Sequence, residues 1–195
     1  SSLKEACSAL TVGGLDSYHL SPEEKNFIQS YKPSGVTLFA RNIANAHKIH
    51  KLPITEELRE CTKGQNLPFI IAVDQEGGTV ARIKHPDADP GASLSLAKGK
   101  SDITALKSIS DQAEKMGQTL LKCGFNVDFA PSIDVTTSPD SRQCAINTRS
   151  FAMTPKAVSK RAGAFLRGLQ KSGVYGCLKH FPGLGGIQID THKGT

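Results

Sequence analysis

Six consecutive residues, Phe69-Ile70-Ile71-Ala72-Val73-Asp74, constrain the fold more than any other part of this chain. A strand that is wet on one face alternates polar and apolar residues. This one does not alternate, so it is covered on both faces, as strands are in parallel sheets. Comparable segments recur. Residues 9–15 read as a first buried strand, 35–40 as a second, 69–74 as the third, 126–131 as a fourth and 176–181 as a fifth.

Helical patterns fill the gaps. Ser21-Pro22-Glu23-Glu24 supplies an N-cap hydroxyl, a proline at the first helical position and an acid at the third, and the helix should stop at Lys32-Pro33. A second helical region lies in 45–62, interrupted by Pro53. Over 101–123, Leu106, Ile109, Ala113, Met116, Leu120 and Leu121 share one helical face, and Gly124 is a C-terminal stop. Thr154-Pro155 opens another helix with Val158, Ala162, Phe165, Leu166 and Leu169 inward, ending at Gly173. Strand and helix therefore alternate, which predicts an α/β fold around a parallel sheet. Gly13-Gly14 lacks the G-x-G-x-x-G spacing, which disfavours a doubly wound dinucleotide-binding domain.

The charge balance, 24 basic against 18 acidic residues, raises the question of a polyanionic partner. The basic residues are scattered and interrupted, as in Glu56-Glu57-Leu58-Arg59-Glu60, and no basic run is interleaved with aromatics. This is a solubilising surface, and no nucleic-acid partner is expected. No segment approaches the roughly 18–20 apolar residues of a membrane span. Five widely spaced cysteines without a C-x-x-C pair read as reduced thiols. With no signal-peptide pattern at residues 1–7, they point to a cytoplasmic protein, a secreted or lipid-anchored parent being the alternative.

Chemistry-bearing residues gather where strands end. Asp74 closes the third strand, followed by Gln75-Glu76-Gly77-Gly78 and Arg82; Asp128 and Asp134 accompany the fourth; Arg149 precedes the last helix. Lys179 and His180 sit in the fifth strand, and Asp190 and His192 in the loop beyond. Polar groups at the carboxyl ends of successive parallel strands are how a (β/α)8 barrel assembles an active site. Each has a plainer alternative: Asp74 as a turn cap, Gly77-Gly78 as turn glycines, Arg82 and Arg149 as surface charges, Asp190 and His192 as solvated loop residues. Lys179 resists such a reading, because a lysine in a short apolar strand must be paired or face a polar cavity.

The sequence FIIAVDQEGGTVAR at 69–82 resembles the strand-three motif of family 3 glycoside hydrolases. KHFPGLG at 179–185, continuing to Asp190-Thr191-His192, resembles the K-H-F-P-G-x-G-x-x-x-x-D-[ST]-H signature of that family's bacterial β-N-acetylglucosaminidase (β-hexosaminidase) branch. GVTLFARN at 35–42, VDFAP at 127–131 and TRSF at 148–151 fall in the expected order, so the resemblance spans essentially the whole chain. It implies a (β/α)8 TIM-type barrel, of which this chain holds about the first five strand–helix units.

The resemblance also implies roles. His192 would be the catalytic acid/base, oriented by Asp190; imidazole, with an unperturbed pKa of ~6.5, both gives and takes protons near neutrality. Asp74, Arg82, Arg149, Lys179 and His180 would bind the hydroxyls of a terminal N-acetylglucosamine. Pro182, Gly183, Gly185 and Gly186 would make the loop carrying Asp190 and His192 mobile. The reaction would be a retaining double displacement on peptidoglycan-derived muropeptides, needing no cofactor or metal. The family's nucleophilic aspartate follows the seventh strand, so none is expected in this chain. Leu184 stands where many relatives carry histidine, and Cys144 has no functional reading.

Other readings are a non-catalytic sugar-binding module, a β-glucosidase-like family member, and a metal site from His180, Asp190 and His192, whose spacing matches no familiar zinc motif. A full barrel takes about 250 residues, roughly 31 per unit, so eight units do not fit in this length. Residues 1–195 are therefore expected to be an N-terminal portion of one catalytic domain. Its open edge would pair with the remaining portion of the barrel or with another copy.

Overall fold

The computed structural model describes residues 3–8, 10–45, 47–137 and 145–185. In chain order the elements are α1 (Leu3–Ser8), β1 (Val12–Gly14), α2 (Pro22–Tyr31), β2 (Gly35–Leu38), α3 (Pro53–Cys61), β3 (Ile70–Val73), α4 (Asp102–Cys123), β4 (Val127–Asp128), α5 (Pro155–Ser172) and β5 (Tyr175–Gly176). The strands form one sheet in the order β1-β2-β3-β4-β5, every pair parallel. A doubly wound sheet reverses its strand order at a switch point. Here the order never reverses, and the carboxyl ends of all five strands fall at one end of the sheet. This is the sequential winding of a (β/α) barrel.

Local chemistry sets the helix limits. In α2, Ser21 Oγ accepts from the Glu24 amide while the Glu24 carboxylate accepts from the Ser21 amide, a complete capping box. That helix ends at Lys32, which adopts the left-handed conformation at φ 52°. Pro53 does not interrupt a helix but begins α3, because proline's missing N–H costs nothing at the first position. Ser101 and Thr154 cap α4 and α5 with their hydroxyls, and Gly124 and Gly173 end them with φ of 102° and 92°. The short α1 was not anticipated from the sequence.

The core runs between sheet and helices through Leu38, Val73, Ile54, Leu58, Ile109, Met116, Leu120, Phe125 and Phe165, all essentially inaccessible. Helices α4 and α5 meet at backbone distance. A Cβ added at Gly168 would sit 2.2 Å from the Ser110 carbonyl oxygen and 2.8 Å from Ala113 Cβ. Phe151 and Phe165 close the neighbouring space edge to face, with ring centroids 5.7 Å apart.

Three strand expectations need correction, one of them the fourth, expected over 126–131 and observed only at Val127–Asp128. The first strand is not buried: β1 pairs only with β2, and Val12 is 42% exposed at the sheet edge. The fifth, expected over 176–181, pairs continuously only at Tyr175–Gly176. Beyond it, Cys177 N–H donates to Asp128 O and Lys179 N–H to Pro131 O, while Lys179 O accepts from Ile133 N–H. These alternate bonds keep the segment parallel to the residues after β4 and deliver Lys179 and His180 to the carboxyl end of the sheet.

The tight α4–α5 crossing predicts that Gly168→Ala destabilises the fold by about 1–3 kcal/mol through overpacking. Urea denaturation should show a lower midpoint at unchanged slope, since the surface exposed on unfolding is the same.

Candidate active site

The loop after β3 is built around Gln75, which is completely buried. Its side-chain oxygen accepts from the Arg82 and Ile83 amides at 2.7 and 2.9 Å, and its amide nitrogen donates to the Ile83 and Ala88 carbonyls. Gly77 and Gly78 both hold positive φ, 95° and 63°, and a Cβ at Gly77 would meet the Gly91 carbonyl oxygen at 2.5 Å. They are turn glycines by necessity. The result is a closed loop that turns Asp74 and Glu76 toward the neighbouring strand ends.

There Lys179 Nζ lies 2.6 Å from Asp74 Oδ1 and 2.6 Å from Glu76 Oε1. Arg149 grips the same Glu76 in a fork: Nε to Oε2 and Nη2 to Oε1, both at 2.8 Å. Two parallel charge-assisted bonds of this kind are strong and directional. Arg149 Nη2 is also 3.3 Å from His180 Nε2. On the far side of the ring, His180 Nδ1 lies 2.7 Å from Asp134 Oδ2. Asp74, Arg149, Lys179 and His180, expected separately from the sequence, thus form one network joined through two carboxylates that had no assigned role, Glu76 and Asp134.

Burial ranks these groups. The Glu76 side chain is 1% exposed, underneath the cluster, whereas His180 is 27% exposed and Asp74, Lys179 and Arg149 are partly open. Glu76 is the internal counter-charge, and the others are within reach of a ligand. Arg82 stays in the Gln75 loop outside this network, and its buried Nε has no hydrogen-bond partner among the described residues. Asp190, His192 and Cys144 lie outside the described residues.

Three groups in and beneath the site have displaced proton affinities. Burial alone would raise the Asp134 carboxyl, but the His180 ring and the Leu184 and His180 amides outweigh it and hold Asp134 below the ordinary carboxylate range. Burial disfavours charge on Arg149 as well, yet the Glu76 fork reverses the balance and strengthens its hold on the proton. Asp128 shows the opposite outcome. It is wholly buried in β4, accepts only from the Gln75 amide at 2.9 Å, and its Oδ2 has no partner among the described residues. Burial therefore drives its carboxyl well above the ordinary range; the Gln75 amide and Lys179 offset only part of that, and Glu76 and Asp74 add to it.

Glu76→Gln would leave Lys179 and Arg149 without their shared counter-charge. Breaking a buried pair in this way costs about 3–5 kcal/mol, read as a lower thermal midpoint. Asp128 makes a pH-dependent prediction. A carboxyl with a raised folded pKa adds stability in full below its unfolded pKa and loses it as pH rises through the folded value. Asp128→Asn stays neutral throughout. Its stability relative to the wild type should therefore improve steadily from acidic to neutral pH in parallel urea titrations.

Residues 6–195 match the family described as Glycosyl hydrolase family 3 N terminal domain. Among curated proteins, Beta-hexosaminidase A of Pseudoalteromonas piscicida is 37% identical over 179 residues, covering 90% of this chain and 29% of the relative. The Beta-hexosaminidase of Idiomarina loihiensis is 31% identical over 173 residues, covering 89% of this chain and 50% of the relative. Among solved structures, NagZ from Neisseria gonorrhoeae in complex with N-trifluoroacetyl-D-glucosamine superposes with a TM-score of 0.80 at 29% identity, over 95% of this chain and 53% of that one. This chain thus spans half or less of the length of those two curated relatives, and the five-strand sheet is the first part of a TIM-barrel-like fold. By sequence match along nearly its whole length and by the path of its backbone, the chain belongs to glycosyl hydrolase family 3.

Proposed function

We propose that residues 1–195 are the N-terminal portion of a single (β/α)8 catalytic domain, and that the intact protein removes terminal β-linked N-acetylglucosamine from peptidoglycan-derived fragments. One observation carries this reading: the half-open cluster of Asp74, Arg149, Lys179 and His180 at the strand ends, with the signature that runs from Lys179 to Asp190 and His192. The N-trifluoroacetyl-D-glucosamine of the Neisseria NagZ structure supports an amide-bearing sugar as the ligand class.

In this reading Asp74 accepts hydrogen bonds from the sugar's hydroxyls, and Lys179, Arg149 and the guanidinium of Arg82 donate to its oxygens. Hydrogen bonds to ionised groups are stronger than neutral ones, which suits a ligand that offers only hydroxyls and an amide. Glu76 keeps the two cations in place without spending their remaining N–H groups. His192, oriented by Asp190, protonates the glycosidic oxygen while an aspartate from the rest of the domain attacks the anomeric carbon. The covalent glycosyl-enzyme is then hydrolysed: His192 takes a proton from water, and N-acetylglucosamine leaves with its configuration retained.

No described helix is long and apolar enough to cross a membrane. The four cysteines among the described residues are free, which suits a reducing compartment; we place the protein in the cytoplasm on that basis. The carboxyl-terminal portion of the same domain is the partner that would cover the open edge of the sheet.

The test is turnover of an aryl N-acetyl-β-glucosaminide by the intact protein. His192→Ala should reduce kcat by about 10²–10⁴-fold, the usual worth of a positioned acid/base. Undiminished turnover in that variant would remove His192 from the mechanism.

A further inference from the structure

Both ring nitrogens of His180 are engaged, and the chemistry of their partners fixes where the proton lies. Nδ1 faces Asp134 Oδ2 at 2.7 Å, and Nε2 faces Arg149 Nη2 at 3.3 Å. An ionised carboxylate only accepts and a guanidinium only donates. Nδ1 must therefore carry the hydrogen and Nε2 the lone pair. An imidazolium would turn a second N–H against the Arg149 guanidinium, whose charge is already held by Glu76.

Asp134 is equipped to impose this state. Its side chain is 0% exposed, and the same Oδ2 accepts from the His180 backbone amide and from Ser132 Oγ, each at 3.1 Å. Its other oxygen accepts from the Leu184 amide at 2.5 Å. The chain at 183–185 lies directly against residues 134–135. A Cβ at Gly185 would sit 2.0 Å from the Val135 carbonyl oxygen, and one at Gly183 would sit 3.4 Å from Asp134 Oδ1.

We infer that Asp134 is a positioning residue of the site, holding His180 as the neutral Nδ1–H tautomer so that its Nε2 lone pair accepts from Arg149 Nη2 and orients the guanidinium that donates to the ligand. The ligand part of this statement rests on the function proposed above; the tautomer part stands on the Asp134–His180–Arg149 geometry alone. A second consequence concerns the backbone. Through Leu184, one buried carboxylate fixes both the ring and the start of the segment that leads to Asp190 and His192.

The experiment uses the intact protein, uniformly labelled with nitrogen-15. His180 ring signals are assigned by their loss in His180→Gln, and proton–nitrogen correlation spectra report which nitrogen is protonated at neutral pH. The wild type should show Nδ1 protonated and Nε2 bare. Asparagine at position 134 has one accepting oxygen and one donating nitrogen, whereas Asp134 accepts from a backbone amide at each of its oxygens. Asp134→Asn must therefore set two donors against each other whichever way it turns. It should mix the two tautomers, and N-acetylglucosamine affinity, followed by titration, should fall roughly tenfold. A wild-type His180 protonated at Nε2 would overturn the inference, and so would an Asp134→Asn variant with tautomer and affinity unchanged. If that variant does not fold, the wild-type tautomer decides alone. Failure of the wild type to bind N-acetylglucosamine would count against the proposed function, leaving the tautomer to judge this one.

Discussion

Glu76 is the residue on which the site depends. Its carboxylate lies beneath the strand ends, almost without contact with solvent, and takes Lys179 on one side and the Arg149 fork on the other. Two cations from distant parts of the chain would repel each other at such range, and each would be costly to bury alone. One buried anion removes both penalties at once. It also ties together the loop after β3, the segment before α5 and the end of the fifth strand. Because Glu76 absorbs the charge from below, Asp74, Lys179 and Arg149 keep donors and acceptors free on their open side.

The other carboxylates around this centre differ in charge because their surroundings differ. Asp134 is as inaccessible as Glu76 yet stays ionised, since a ring N–H, two backbone amides and a serine hydroxyl all point at it. Asp128 has one amide and an empty second oxygen, so burial wins and the neutral acid is favoured. Two aspartates six residues apart on the same strand and its loop thus take opposite states. The number of hydrogen-bond donors each one meets makes the difference, because burial opposes charge in both.

The scaffold explains how such a site is held. Parallel strands in sequential order bring all five carboxyl ends together, and the loops that follow need only short reaches to meet. Behind them, α4 and α5 approach to backbone contact through Gly168, giving the fourth and fifth strands a rigid support. Fixed side chains on a fixed scaffold reduce the ordering cost of gripping a flexible, hydroxyl-rich ligand.

Much of this was legible in the residues themselves. The unbroken apolar run before Asp74, the capping signals at Ser21, Ser101 and Thr154, and the glycines at 124 and 173 determine element types and limits through local forces, which act within a few residues. Lys179 announced its own need for a partner, because a lysine in an apolar strand has few alternatives. The motifs at 69–82 and 179–192 specified the family. What the sequence did not disclose is which carboxylates answer those cations. Glu76 is flanked by a glutamine and two glycines, and Asp134 follows a strand like many loop acids. Nothing local separates either from a solvated surface residue. Glu76 meets Arg149 across 73 positions of the chain, and Asp134 meets His180 across 46. Burial, pairing and the tautomer of His180 are properties of contacts between strand ends, so only the folded sheet decides them.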